Sequence, residues 1–440
     1  MNSLAVAALL FGSMLLMMAL RIPIAAAMFV PGAIAYWAMT GDAALLGQLK
    51  QMTWSRFSNY DLSVIPMFLL MGQFATQGGL SRALFQAARA FVGHLRGGLA
   101  MATVLACAGF GAICGSSFAT AATVTQVALP EMRRYAYSPR LSTGSLAAGG
   151  TLGISIPPSV PLIIYAILTE QNIARIFAAA MIPGLVAAGG YLVAIAIYAR
   201  MRPEQAPALE RLPLPQRLAT LKEVWSVVAI FLLVFGGIYG GLFTPTEGAA
   251  VGAASTFALA AWRGELTLQG LRFAFVSTAG TTAMLFMIFL GADMMSVALA
   301  VSQAPAELAR AVAASGMPPL LVLALILLLY VVLGCVMDEM AMILLTLPIL
   351  FPVVMGMDFF GLSPEHKAIW FGILILVVIQ MGMVIPPVGL NVYVINSLAR
   401  DVPLIETYRG VMPFVASDVI RMCLLIAFPP LSLYVLRWMT

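Results

Sequence analysis

Charge is scarce in this chain. Only 9% of its 440 residues are Asp, Glu, Lys or Arg, against 62% that are hydrophobic. A soluble domain carries about 25% charge, so the composition excludes a water-exposed globular protein and points to a polytopic membrane protein. The surplus of 23 Lys and Arg over 18 Asp and Glu suits positive cytoplasmic loops and gives no reason to expect a nucleic-acid partner. Histidine is nearly absent. His94 and His366 fall at helix ends, which leaves no material for a deep histidine proton relay. The four cysteines, Cys107, Cys114, Cys335 and Cys423, lie in apolar runs without metal-ligand spacing and read as packing residues. HExxH, GxSxG and P-loop sequences are missing, which argues against metallohydrolysis and ATP-driven transport. So is a basic leader with a small-residue cleavage site, and residues 3–20 therefore read as the first crossing, with no room before it for a fused partner.

What is present is apolar runs. At roughly 20 residues per crossing there is room for about ten to a dozen helices. Residues 22–39 and 61–79 read as helices and 40–57 as a polar, partly amphipathic connector. Residues 80–96, with Arg82, Arg89 and Arg96 spaced by seven, suit an amphipathic helix in the interface. The run 98–113 is followed by Cys114-Gly-Ser-Ser-Phe-Ala-Thr120 and a limb ending at Glu131. That limb offers about 18 Å of apolar helix against a core of about 30 Å. It is too short to cross, so 98–137 is expected to be a re-entrant hairpin with its tip at Gly115-Ser116-Ser117.

Residues 138–169 read as one crossing broken at Pro157-Pro158, 172–180 as a short amphipathic piece and 181–199 as a full helix. The polar stretch 200–223 reads as a cytoplasmic linker. The second half repeats the first: Pro23, Gly72, Gly115, Pro157 and Pro183 find counterparts in order at Pro245, Gly291, Gly334, Pro386 and Pro413. This makes 318–357 a second hairpin with its tip at Gly334–Asp338, 366–400 a second broken helix and 411–437 the last crossing. The expected fold is thus an all-α polytopic membrane protein of two repeats, 1–199 and 224–440. Each repeat holds five crossings plus one hairpin. Five is odd, so the repeats are inverted, and the Lys and Arg distribution puts both termini outside.

The chemistry centres on the two breaks. Proline in a helix removes its own donor and clashes with the carbonyl four residues back. Pro157 and Pro158 are expected to free the carbonyls of Gly153 and Ile154, and Pro386 and Pro387 those of Gly382 and Met383. In lipid such a break survives only where protein or a wet cavity surrounds it. Ser116, Ser117 and Thr120 offer neutral oxygens at tip 1, with Thr123 and Thr125 beyond. Neutral oxygens suit a hard monovalent cation such as Na⁺, while half-helix N-termini suit a carboxylate. The candidate cation ligands are Ser116, Ser117, Gly153, Pro157, Gly334, Asp338, Gly382, Pro386 and Asn391, with Ser116, Ser117, Thr120 and Asn391 also available to an organic anion. Each break is expected to face the tip of its own half, Gly115-Ser116-Ser117 for Gly153–Pro158 and Gly334–Asp338 for Gly382–Asn391, and the duplication suggests two Na⁺ sites of unequal character, with the solute held between the tips. Hydroxyls that merely cement helix packing are the alternative. Glu247 is expected to cap a helix start, Asp418 and Arg421 to pair with each other, and Asp293 is left open between a structural and a functional role.

Four stretches resemble the large membrane subunit of TRAP transporters, the tripartite ATP-independent periplasmic family (DctM-type): Phe243-Thr-Pro-Thr-Glu-Gly-Ala-Ala-Val-Gly-Ala253, Cys114–Thr120, Gly153-Ile-Ser-Ile-Pro-Pro158 and Ile385-Pro-Pro-Val-Gly-Leu-Asn391. Gly248 stands where the family commonly has alanine. The resemblance implies an elevator-type secondary transporter in the bacterial inner membrane. It also implies Na⁺ as coupling ion without an organic cofactor, and uptake of an organic anion such as a C4-dicarboxylate or another organic acid. Its partners would be a small four-helix membrane subunit, a periplasmic substrate-binding protein and membrane lipids. A stand-alone ion-coupled carrier or antiporter shares every physical feature above. An intramembrane aspartyl protease using Asp293 and Asp338 is the remote alternative, since it leaves the Pro-Pro breaks without purpose.

Overall fold

A backbone N–H or C=O in hydrocarbon has no water to bond, so apolar segments satisfy themselves as helices. The computed structural model describes residues 3–335 and 337–438, and no β-strand occurs among them. The chain opens with α1 (Ser3–Ala19) and α2 (Ile24–Thr40). The expected polar connector 40–57 is instead a helix, α3 (Asp42–Phe57), entered through Gly41 at φ 85°. Its polar residues hid an apolar edge: Leu45, Leu49 and Met52 pack with Leu290 and Met294. A 3-10 turn at Tyr60–Ser63 leads into α4 (Val64–Gln77), and α5 (Leu80–Val92) follows. Expected at the membrane interface, α5 buries Leu80, Ala83, Leu84, Phe85, Ala87 and Ala90, much of that face lying on the next helix.

That next helix is α6 (Gly98–Cys114), which turns through Gly115 and Ser116 into α7 (Ser117–Arg134). The first broken helix is α8 (Pro139–Ser155) followed by α9 (Val160–Leu168). Residues 172–199, read as two pieces, are one helix, α10 (Ile173–Met201), which carries Pro183 inside it. The linker is shorter than 200–223 because α11 (Leu214–Tyr239) starts directly after Pro213. Next come α12 (Pro245–Trp262), α13 (Leu268–Ser302) and α14 (Ala304–Ala314). The second hairpin is α15 (Pro319–Gly334) and α16 (Glu339–Met355); Val336, in its expected tip, lies outside the described residues. The second broken helix is α17 (Pro364–Gly382) and α18 (Leu390–Leu398). The last long helix, α19 (Leu404–Ala427), begins before the expected 411, and α20 (Pro430–Leu433) follows. Pro139, Pro245, Pro319 and Pro364 each open a helix, where the missing N–H would have had no partner anyway.

Among the described residues six segments are long and apolar enough to cross a membrane: the pair α8–α9, and α10, α11, α13, α17 and α19. The fold is that of an all-α polytopic membrane protein. Two packing groups stand out. In one, α2 lies along α13 and α4 along α12. A Cβ added to Gly291 would sit 2.6 Å from the Ala25 carbonyl oxygen, so small residues set the α2–α13 approach. In the other, α6, α7 and α19 surround α8, and α15 packs on α17.

Candidate functional site

Both Pro-Pro pairs lie outside helix. The first helix limb stops at Ser155 and Ile156 is extended, so Pro157 and Pro158 occupy a link between α8 and α9. Tip 1 is packed against this link. Gly115, at φ 65°, ends α6 in the left-handed region, which glycine enters without a Cβ penalty. A Cβ there would come 2.8 Å from the Pro158 carbonyl oxygen. The Val160 N–H, at the start of α9, donates to the Gly115 carbonyl at 3.4 Å. Gly153 is roofed by the tip: a Cβ on it would lie 2.5 Å from Thr120 Oγ1 and 2.6 Å from the Ser116 carbonyl oxygen.

The side chains around this link divide into used and unused oxygens. Ser116 Oγ caps α7 by accepting the Ala119 N–H at 3.4 Å. Thr120 Oγ1 has no oxygen or nitrogen partner, and its polar neighbour is the Cys114 thiol. Ser159 stands at the N-cap of α9 yet caps nothing, and its Oγ is also without a partner. Both residues are fully buried. A buried hydroxyl left unpaired costs about 1–3 kcal/mol. Here two lie beside one break, with the Ser116 carbonyl next to Thr120. Thr125, by contrast, is spent on the Ala121 carbonyl at 2.6 Å.

The second break differs. Gly382 and Gly334 meet back to back, a Cβ on Gly382 falling 2.7 Å from the Gly334 Cα. In the first half a glycine contact also stands at the break, Gly111 on Gly153, at 2.6 Å for a Cβ on Gly111, one turn before Gly115, the residue that matches Gly334. The Met383 carbonyl, expected to be free, accepts the Asn391 backbone N–H at 3.0 Å. The Pro387 and Val388 carbonyls accept from the Tyr408 hydroxyl at 2.9 and 2.6 Å. The next limb and α19 thus supply donors to the link, so Pro386 and Pro387 leave fewer bare carbonyls than a proline within a continuous helix. Asp338 caps α16, its Oδ1 accepting the Met340 and Ala341 N–H groups at 3.0 and 3.1 Å.

Asn391 was expected to face tip 2. It faces the first half instead: its Nδ2 donates to the Ala147 carbonyl on α8 at 3.4 Å, and its Oδ1 is buried without a partner. The second limbs of both broken helices cross over in this way, α18 packing on α7 and α8, and α9 on α16. The tips themselves touch. Ser117 Oγ donates to Glu339 Oε2 at 2.9 Å, and both residues are buried. Glu339 escaped the sequence reading because Asp338 beside it already accounted for an acid at the tip.

A buried polar network links the two breaks. Ser155, the last residue of α8, donates to Gln380 Oε1 on α17; Gln380 Nε2 donates to the Tyr191 hydroxyl at 2.8 Å, and Tyr191 to Asp418 Oδ2 at 2.7 Å. Arg421 closes it, donating to Gln380 Oε1 at 2.8 Å and pairing with Asp418 at 2.9 Å. The Asp418–Arg421 pair was expected, but its partners were not. The available signal was Gln380, a lone amide in an otherwise apolar run two residues before Gly382.

Glu247 and Asp293 each have a partner. Glu247 and Thr244 form a capping box, with Thr244 N–H donating to Glu247 Oε2 at 2.8 Å and Glu247 N–H to Thr244 Oγ1 at 3.2 Å. Asp293 is held by Arg56, whose Nε donates to Oδ2 at 2.7 Å. With Asp293 ion-paired and Asp338 capping, the two do not act as a carboxylate dyad around a shared water. No cluster of three His, Cys, Asp or Glu side chains occurs among the described residues.

A family model described as the DctM component of tripartite ATP-independent periplasmic transporters matches residues 11–431. The chain belongs to that family. It is 36% identical over 383 residues to the C4-dicarboxylate TRAP transporter large permease protein DctM of Pseudomonas aeruginosa, with 87% of each chain covered. To the sialic acid TRAP transporter large permease protein SiaM of Vibrio cholerae it is 30% identical over 404 residues, covering 91% of this chain and 92% of that one. The solved structure of the YdaH transporter of Alcanivorax borkumensis shares the fold, with a TM-score of 0.59, 16% identity and 88% of each chain covered. A DctM-type chain is a multi-pass transport permease and not an enzyme.

Proposed function

We propose that this permease drives uptake of a carboxylate-bearing organic acid across the bacterial inner membrane by coupling it to Na⁺. A small four-helix membrane subunit and a periplasmic substrate-binding protein would complete the system. The carrying observation is the fully buried Thr120 and Ser159 hydroxyls beside the first break, neither of which has an oxygen or nitrogen partner. Neutral oxygens in a dry pocket replace the hydration shell of a monovalent cation. Asn391 Oδ1, buried without a partner against α8, is a further neutral oxygen on the first-half side, and the Asp338 carboxylate at tip 2 is the candidate for a second, chemically unequal ion. An ion entering down the gradient releases about 2.3 kcal/mol per charge per 100 mV, so two ions offset both solute charge and uphill concentration. The relatives named for a C4-dicarboxylate and for sialic acid both concern organic acids, which supports the class and leaves the individual acid to the binding protein.

The reading includes two inverted repeats, 1–199 and 224–440, that move as an elevator. Paired glycine contacts at both breaks and the reciprocal packing of α9 and α18 support it. So does a cavity of about 1000 Å³ lined by Asp293 and Ser296 of α13, Pro348 and Pro352 of α16, and Thr169 and Gln171 at the α9–α10 corner. It lies where α13 faces α9 and α16. The test is uptake into proteoliposomes holding the large and small subunits, with purified binding protein outside. Uptake that needs both an inward Na⁺ gradient and the binding protein supports the proposal. Uptake under Na⁺ without the binding protein makes this a stand-alone carrier, and uptake indifferent to Na⁺ removes the coupling.

A further inference from the structure

A second feature lies on the outer side of α10 and α19, away from both breaks. The two helices run antiparallel, the end of α10 lying beside the start of α19, and a groove of about 710 Å³ follows the seam between them. One wall is Val193, Ile197 and Met201, at successive steps of four along α10. The other is Met412, Ala416 and Ile420, at the same steps along α19. Residues four apart form one ridge on a helix, so these are two continuous apolar ridges. The five large side chains among them are each more than half exposed. The groove closes where Gly190 meets the Ser417 hydroxyl, which stands in the space that a Cβ at position 190 would take.

Its mouth is basic. Arg140, Arg202 and Arg409 line it. Glu406 is shared between two of them, accepting from Arg140 Nε at 3.0 Å and Arg409 Nη1 at 3.1 Å. Arg202 makes no ion pair among the described residues and rests over the Tyr198 ring, 5.9 Å from its centroid. Three guanidinium groups thus face one carboxylate.

We propose that this groove is a binding site for one anionic diacyl phospholipid, with its phosphodiester at the three arginines and an acyl chain between the ridges. Length decides among occupants. From Arg202 to Gly190 is twelve residues of helix, about 18 Å, close to one leaflet of a core about 30 Å thick. A transmembrane helix of a partner needs the full thickness, and this groove ends near the middle. A soluble anion needs the arginines and has no use for the ridges. The basic mouth lies at the end that the excess of Arg places in the cytoplasmic leaflet, where anionic lipids and basic pockets between helices meet. The site is independent of the coupling ion and of the transported acid.

The test is native mass spectrometry of the purified full-length chain titrated with palmitoyl-oleoyl phosphatidylglycerol. The controls are phosphatidylcholine of the same chains and glycerol 3-phosphate as the headgroup alone. The expected result is at least fivefold tighter binding of phosphatidylglycerol than of phosphatidylcholine and none of glycerol 3-phosphate. The preference should fall below twofold in Arg202→Gln/Arg409→Gln. Ala194→Trp, which fills the groove and leaves the arginines in place, should lose both lipids and serves if the double variant does not fold. Equal binding of the two lipids, a preference that survives both variants, or equal binding of glycerol 3-phosphate overturns the proposal.

Discussion

Ser117 and Glu339 stand 222 positions apart and meet at the junction of the two hairpins, the hydroxyl donating to the carboxylate at 2.9 Å. Each residue sits at the start of the second limb of its own hairpin, so this single contact joins tip to tip. A buried carboxylate that loses its donor keeps its full desolvation cost. Ser117→Ala should therefore destabilise the protein by about 1–3 kcal/mol, and Glu339→Gln in the same background should recover part of the loss. A thermal-unfolding double-mutant cycle reads the coupling. Strict additivity would show that the tips do not depend on each other.

Gly153 has no space for a side chain, with Thr120 Oγ1 and the Ser116 carbonyl 2.5 and 2.6 Å from where a Cβ would be. Gly153→Ala pushes the tip away from the break. We expect a cost of about 1–3 kcal/mol from overpacking and loss of most uptake at normal surface expression. Uptake equal to that of the parent would mean that the tip-to-break spacing is not critical.

Asp338 separates cap from charge. Its carboxylate accepts two N–H groups, and asparagine keeps an acceptor at that place. Asp338→Ala should cost about 1 kcal/mol of stability, and Asp338→Asn much less. A rise in half-saturating sodium in Asp338→Asn marks the charge as part of the ion site. An unchanged value with a lowered melting temperature only in Asp338→Ala marks it as a helix cap alone.

How far these relationships could be read in advance depends on the partner. Gly115, Pro157 and Pro386 govern their own backbone, and a helix ends within four residues before each of them. Glu339, Gln380 and Tyr191 act through residues in the opposite half, and one chain read in order does not reveal who faces them. Asn391 is the clearest case. Its position after Pro386 suggested tip 2, and the crossover of α18 onto α8 put it in the first half. The helix at 42–57 was hidden for a different reason: polar residues are interspersed through it, while Leu45, Leu49 and Met52 form the edge that packs.

The Asp418–Arg421 pair lies at the centre of the network between the breaks, and both residues are buried. Removing one partner of a buried pair leaves an uncompensated charge and costs about 3–5 kcal/mol. Arg421→Met should be that severe. Asp418→Leu/Arg421→Met should be milder than Arg421→Met alone, as judged by melting temperature and recovery of folded protein from the membrane. A double variant worse than Arg421→Met would show that the network, rather than the lone charge, sets the stability.

Thr120 offers the most direct test. If its buried hydroxyl only packs, Thr120→Val removes an unpaired polar atom at constant shape, which is neutral or stabilising for the fold and leaves transport unchanged. If the hydroxyl takes Na⁺, the same variant loses a ligand. The measurement is the sodium concentration that half-saturates uptake into proteoliposomes supplied with binding protein, in the parent and in Thr120→Val. The account predicts a rise of about tenfold, equivalent to about 1.4 kcal/mol, at an unchanged or higher melting temperature. The same half-saturating sodium in both proteins would contradict it.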